Sequence, residues 1–268
     1  MLPDFELIQH QFYGGQDITI IPIADVHLGS PECMEQEFIA FCKQLAETPN
    51  TYAILLGDLI DNGLKNSLTN CYKATMSPSV QKREMANILE PIKDKILCIV
   101  PGNHERRSAK DVDDDPCYDI AVKLDIEHLY RENIAFVKIQ LGKENIQNGA
   151  YRPTYTIVVT HGAGGGILTG GAVNRSERFG YVIDGMDAIV VGHTHKPYHT
   201  SPGKILIDTR NNVISMKQFE VVSATSWLGY GGYSARGMMR PAAYRPAMFT
   251  LTGDHKEIIY TSRERFFD

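Results

Sequence analysis

The stretch ITIIPIADVHLG, residues 18–29, decides how this chain is read. Its apolar run from 18 to 24, rich in isoleucine, stops abruptly at Asp25, as a buried central strand does when it meets a polar loop. His27 stands two residues beyond Asp25. In an extended strand exit, side chains two apart point the same way, so this pair is expected to grip one metal ion together.

Outward from that strand the pattern repeats. Residues 34–47 place Phe38, Phe41, Cys42 and Leu45 at helical spacing, and residues 51–56 form a second strand that halts at Gly57-Asp58. A helix over 79–93, with Pro78 near its start, leads to a third strand over 95–100, stopped by PGNH. A helix over 115–131, with an N-cap among Asp113, Asp114 and Asp115, then strands over 134–141, 154–160 and 188–191, complete the α/β part. Strands over 205–208, 213–222, 247–251 and 258–261 imply a second sheet. A chain of 268 residues is expected to form one domain over 1–268.

Five polar motifs each follow an expected strand: DVHLG at 25–29, GDLID at 57–61, GNHE at 102–105, HG at 161–162 and GHTH at 192–195. Ligands of α/β sheets bind beyond the carboxyl ends of strands, where side chains from several strands converge. Five of the nine histidines, His27, His104, His161, His193 and His195, fall inside these motifs. One such histidine or one Gly-Asp turn carries little weight, since a satisfied imidazole or a turn aspartate is the commoner case. The set in this order points to a metal site. Carboxylate, imidazole and amide oxygen suit manganese, iron, zinc or cobalt better than calcium, which prefers oxygen alone.

The five motifs resemble the pattern of the calcineurin-like metallophosphoesterase superfamily, D-x-H, G-D, G-N-H-D/E, H and G-H-x-H, over residues 18–195. The resemblance implies a four-layer α/β/β/α sandwich of two mixed sheets flanked by helices. It also implies two divalent transition-metal ions, manganese before iron, zinc, nickel or cobalt. Carried over position by position, Asp25, His27, Asp58 and His195 hold one ion, and Asp58, Asn103, His161 and His193 hold the other, with Asp58 shared. A hydroxide bridging the metals is then the nucleophile. His104 assists by stabilising the phosphoryl group or protonating the leaving oxygen, and Asp61 orients it.

Where the Ser/Thr protein phosphatases carry an arginine after GDxxD, this chain has Asn62, so the resemblance leans toward the nuclease and phosphodiesterase branches. A phosphodiester substrate, in nucleic acid or a nucleotide, is the preferred expectation. A phosphomonoesterase acting on a small metabolite or phosphoprotein is the alternative, and a non-catalytic metal-bound scaffold is an alternative of another class. Arg107, Arg106 and Asn62 are the candidate substrate contacts, Arg106 and Arg107 being equally compatible with a solvated surface pair. After His161, the glycine-rich segment 161–171 is suited to close over substrate, with Asn174, Arg175 and Arg178 reaching the reacting phosphate, and equally reads as a plain surface loop followed by a helix. Residues 226–246 mix Trp227, Tyr230, Tyr233 and Tyr244 with Arg236, Arg240 and Arg245, which suits base stacking but equally suits packing against a sheet or an oligomer interface.

Composition sets the outer bounds. With 43% apolar and 22% charged residues the chain has a globular composition, and a formal charge of -5 offers no global field for a polyanion. Five cysteines without a CxxC pair suggest neither a disulfide framework nor a thiolate zinc site. The N-terminus lacks a signal-peptide pattern and no stretch is long enough to span a bilayer, so a cytoplasmic protein without membrane insertion is expected.

Overall fold

The computed structural model describes residues 5–65, 67, 71–142, 152–164, 168–236, 241 and 247–262. Among them, strands β1 (Leu7–Tyr13) and β2 (Ile18–Ile23) precede helix α1 (Glu35–Glu47) and strand β3 (Thr51–Leu55). Helix α2 (Pro78–Leu89), strand β4 (Ile96–Ile99) and helices α3 (Asn103–Val112) and α4 (Pro116–Lys123) follow. Then come β5 (Ile134–Gly142), β6 (Thr154–Thr160), α5 (Thr169–Gly180), β7 (Ala188–Val191) and β8 (Tyr198–Thr200). The last part holds β9 (Gly203–Asp208), β10 (Val213–Gln218), β11 (Glu220–Ser223), α6 (Gly232–Arg236), β12 (Ala247–Leu251) and β13 (Ile258–Ser262).

Two mixed sheets form the centre. One has the order β13-β12-β2-β3-β4, with β2, β3 and β4 parallel; the other has the order β1-β5-β6-β7-β11-β8, with β6, β7 and β11 parallel. In β6 and β7, Ile157, Val159, Ala188 and Val190 enter the large core between the sheets. Their alternate neighbours Val158, Ile189 and Val191 pack on the opposite face, with Ala172, Val173 and Phe179 of α5. Phe38, Phe41, Cys42 and Leu45 of α1, Met85 and Leu89 of α2, and Ile120 of α4 bury themselves with the five-stranded sheet. Helices thus cover both outer faces, giving the α/β/β/α layering. In β2 five of six residues are buried, which is why it reads as a continuous apolar run. No helix among the described residues is long and apolar enough to cross a membrane.

Several elements differ from expectation, each for a physical reason. The helix expected over 115–131 stops at Lys123, because Asp125 turns left-handed (φ 58°), and a short 3-10 turn takes over at Glu127–Leu129. Asp115 is its cap, accepting Tyr118 N–H at 3.1 Å, while Asp114 pairs with Lys82 Nζ at 2.7 Å. The strand expected over 213–222 is divided at Phe219 between β10 and β11, which belong to different sheets. Strand β1 pairs in parallel with β5, although only alternate residues turn inward and its sequence, LIQHQFY, has a weak apolar signal. Helix α3 begins inside the GNHE motif, where polar composition had suggested only a loop.

Candidate metal centre

The motif loops leave β2, β3, β4, β6 and β7 at their carboxyl ends, and cross-links between them bring the ends together. Gly192 N–H donates to His161 O at 3.0 Å, and His193 N–H donates to Asp25 Oδ2 at 2.9 Å. Gly57, at φ +80°, lies so close to the PGN turn that an added Cβ would meet Gly102 N at 2.0 Å. At Gly102 an added Cβ would strike Asp58 Oδ1 at 2.1 Å, so a methyl group has no room beside that carboxylate.

Asp25 and His27 do not point together through an extended exit, as their spacing suggested. Both are left-handed, with φ 54° and 51°, as are Asp58 (49°), His193 (68°) and His195 (54°). Of ten non-glycine residues with positive φ among the described residues, these five are candidate ligands. Asp, Asn and His tolerate this region better than most residues, yet each such position costs on the order of 1–3 kcal/mol, and such strain clusters at functional sites.

Two groups of ligand atoms result, joined by a third made of His27, Asp58 and His104. Asp25, His27 and His195 form one, with His195 Nε2 3.2 Å and His27 Nε2 3.9 Å from Asp25 Oδ1, and 3.4 Å between the two imidazole nitrogens. Asp58, His161 and His193 form the other, with His161 Nε2 3.3 Å from Asp58 Oδ2 and 3.2 Å from His193 Nδ1. Asn103 Oδ1 joins this second group, 2.7 Å from His193 Nδ1 and 3.1 Å from His161 Nε2. Asp58 Oδ2 also lies 3.9 Å from His27 Nε2, so a single carboxylate oxygen stands between the two groups.

The donor chemistry fits cations. Asp25 Oδ1 is buried without a hydrogen-bond partner, while Oδ2 of the same carboxylate is occupied by His193 N–H. His161 Nδ1 donates to Leu56 O at 2.5 Å, which leaves Nε2 with a lone pair turned toward Asp58 Oδ2 and Asn103 Oδ1. Acceptors facing acceptors in a buried site call for a proton or a metal ion between them. Charge balance agrees. Burial opposes ionisation of Asp58, but the His161 and His104 imidazoles hold its carboxyl well below the usual range. Burial likewise opposes the charge on His161, and Asp58 nevertheless raises it to about 9. His27 goes the other way, pushed well below 6.5 by burial and by neighbouring His104.

His104 lies on the first turn of α3, its ring centroid 4.3 Å from that of His27. Its Nδ1 donates to the backbone carbonyl of Asp61 at 2.6 Å, with the Asp61 carboxylate 3.6 Å away, so Asp61 orients the ring chiefly through its main chain. Nε2 is left as the nitrogen available for chemistry.

Glu105 was not singled out from the sequence, yet it organises the site. Fully buried, its Oε2 accepts the N–H groups of Asp58 and Gly102, and its Oε1 those of Leu59 and Ile60. The Gly-x-x-Glu spacing of a helix N-terminus was its only local signal. Burial and the Asp58 charge push its carboxyl up to about 7, against the pull of the Ile60 N–H and the His161 charge.

The candidate substrate residues divide. Asn62 is a correction: it is fully buried, and its Nδ2 donates to His104 O at 2.8 Å and Ser108 Oγ at 2.9 Å, so it braces α3. Arg106 is exposed and donates to Glu132 O at 3.1 Å. Arg107 is half-buried, with a buried Nη1 that has no hydrogen-bond partner, and its charge opposes the rise that burial imposes on Asp61. Asn174, Arg175 and Arg178 are exposed on α5, and Arg175 donates to Ala163 O in the loop after His161. Trp227 is 1% exposed and packs against Phe38 and Phe41 at 4.9 Å, so it is core, whereas Tyr230 is exposed. Arg240, Tyr244 and Arg245 lie outside the described residues.

A two-sheet α/β sandwich carrying adjoining Asp/His groups at its strand ends defines a metal-dependent phosphoester hydrolase. The model of the calcineurin-like phosphoesterase family matches residues 18–197, well over half of the chain, and the chain belongs to that family. No curated protein matches it. Among solved structures, a conserved uncharacterized protein from Streptococcus pneumoniae, described as a predicted phosphoesterase, is 12% identical. That alignment covers 92% of this chain and 98% of the other at a TM-score of 0.37, a likeness too slight to carry an argument.

Proposed function

We propose that this chain hydrolyses phosphodiesters with two divalent transition-metal ions, manganese foremost. The observation that carries this reading is Asp58 Oδ2, which stands between the Asp25/His27/His195 group and the Asn103/His161/His193 group and is therefore placed to serve an ion in each. Such ions, when bound, supply Lewis acidity toward phosphoryl oxygens and make hydroxide available from water near neutral pH.

The remaining work falls to side chains. His104, held through Nδ1 by Asp61 O, presents Nε2 to protonate the departing oxygen of the ester. Its backbone N–H donates to Asp58 Oδ1 at 2.7 Å, so the acid and the shared carboxylate keep a constant separation. Arg107, half-buried with its charge acting on Asp61, is the cation for a non-reacting phosphate oxygen, which a guanidinium nitrogen other than the buried Nη1 would reach.

Preference for a diester rests on Asn62. At the place where an arginine would clamp the doubly charged phosphate of a monoester, this chain has an amide turned into α3. A diester, singly charged and carrying a second substituent, needs no such clamp. A nucleic acid or nucleotide is the substrate class this suits. Manganese-loaded protein should turn over bis-p-nitrophenyl phosphate faster than p-nitrophenyl phosphate and should cut single- or double-stranded DNA. Faster monoester turnover with DNA left intact rejects the diester reading in favour of a phosphomonoesterase.

A further inference from the structure

Strands β9 and β10 form a two-stranded antiparallel hairpin that, among the described residues, pairs with no third strand. Its two faces are chemically unlike. One carries Lys204 and Lys217, directly opposite each other, and is fastened to the body: Lys204 Nζ donates to Ile183 O at 3.1 Å, and Lys217 Nζ lies 3.6 Å from Asp187 Oδ1. The other face carries the cross-strand pairs Ile205/Met216 and Ile207/Ile214 and nothing charged. Those four side chains are 76%, 68%, 72% and 73% exposed. An amphipathic hairpin normally turns its more apolar face inward; this one is anchored through Lys204 and Lys217, on a face that also holds Leu206, Asp208, Val213 and Ser215, and presents its more apolar face to solvent.

The hairpin also stands away from the metal centre. Strand β11 begins at Glu220, level with Ala188 at the start of β7, whereas the candidate ligand His193 lies beyond the end of β7. Strand β8 ends at Thr200, level with Val221 of β11, so the chain enters and leaves the hairpin at the sheet end opposite the motif loops. A role in covering substrate is therefore excluded by topology, and the face needs another occupant.

We infer that the occupant is a second copy of this chain, the apolar faces of two hairpins packing on each other about a twofold axis. The four side chains present on the order of 500 Å² of apolar surface, toward the upper end of the largest patch a monomer ordinarily shows. Two copies face to face remove at most about 1,000 Å² from water, the lower limit for a specific interface, so the contact is a weak, concentration-dependent one. An isologous contact requires a self-complementary patch, and this one meets the condition. With the strands of the two copies antiparallel, Ile205/Met216 of one lies over Ile207/Ile214 of the other, with the polar Gln218, opposite Gly203, at the edge of the contact. A face without charge gives a nucleic acid or an acidic partner nothing to hold.

The test is sedimentation of the full chain over a broad concentration range, beside a variant carrying both Ile207→Lys and Ile214→Glu. These residues are cross-strand partners, so the introduced charges attract within one hairpin and preserve it, while stacking would bury them against apolar side chains. The expected result is a concentration-dependent wild-type dimer and a variant whose dissociation constant rises by at least about 100-fold, with a melting temperature equal to that of the wild type diluted to monomer. A wild-type chain that stays monomeric overturns the inference, and if that monomer floats with phosphatidylcholine vesicles, a lipid surface is the occupant instead. A variant that dimerises as tightly as the wild type also overturns it, because the interface must then lie elsewhere.

Discussion

Asp25 divides its carboxylate between two tasks: Oδ2 accepts the backbone N–H of His193 at 2.9 Å, across 168 residues of chain, and Oδ1 is left without a hydrogen-bond partner at the metal centre. The contact joins the exit of β2 to the exit of β7, so the residue that offers a ligand atom also fixes the loop bearing His193 and His195. Ligand placement and sheet-to-sheet registration are thus one problem in this fold.

Asp58→Asn should disturb both metal positions at once. One oxygen of Asp58 faces His27 and His161, and an amide nitrogen in its place would set a donor where a lone pair is needed. Metal analysis of the purified variant should show both equivalents lost, or bound with affinity reduced at least about tenfold. A variant retaining two tightly bound ions contradicts the shared role.

His104→Ala separates chemistry from metal binding. His104 offers a ring nitrogen within 4.8 Å of ligand atoms of His27 and Asp58, so proximity alone does not distinguish an acid from a ligand. Unchanged metal content with diesterase activity lower by about 10² marks the general acid. Lost metal would make His104 a ligand.

Glu105→Gln tests the buried carboxylate behind the GDLI loop. The amide group of glutamine would confront two backbone N–H groups that the carboxylate now satisfies, a cost of about 3 kcal/mol in chemical denaturation. Because Asp58 N–H is one of its partners, metal affinity should fall as well, by about 10-fold or more. Wild-type stability in this variant would remove Glu105 from the account.

The metal-free protein should lose stability as pH rises from 6.5 toward about 9. Burial disfavours the charge on His161, but Asp58 raises its folded value above the unfolded one, so the contribution is fully present below pH 6.5 and is lost as pH climbs through the folded value. Denaturation midpoints of chelator-treated protein should fall across that window. Loading with manganese should flatten the trend, because the ion takes the place of the proton at Nε2.

Gly102→Ala should weaken metal binding without replacing any ligand, by displacing Asp58. Its Cβ would meet Asp58 Oδ1 at 2.1 Å and Asp58 N at 2.3 Å, so the loop must shift. Reduced metal content together with a stability loss of about 2 kcal/mol is the expected outcome.

Much of this was legible in the chain itself, and the illegible part has a common cause. The end of the apolar run at Asp25 and the halts at Gly57-Asp58 and PGNH are local signals, so strands and motif loops could be placed. Asn62 looked like a substrate contact because it stands where the Ser/Thr protein phosphatases carry an arginine; only the packing of α3 shows it buried, with Nδ2 donating to His104 O and Ser108 Oγ. For Trp227 the loop composition left base stacking and packing against the body both open, and Phe38 and Phe41, which enclose it, decide for packing. Neither fate is written in nearby residues.

By itself, then, the amino-acid order determined the residue types offered to metal, their place at strand ends, and the α/β character, because periodicity and abrupt polar breaks are short-range properties. The tertiary structure alone decided that Asp25, His27, Asp58, His193 and His195 adopt left-handed backbone, that Glu105 gathers four N–H groups beneath Asp58, and that the β9–β10 hairpin turns its isoleucines outward. Each of these depends on contacts between segments far apart along the chain, and a strained or inverted local conformation persists only where such contacts outweigh its cost.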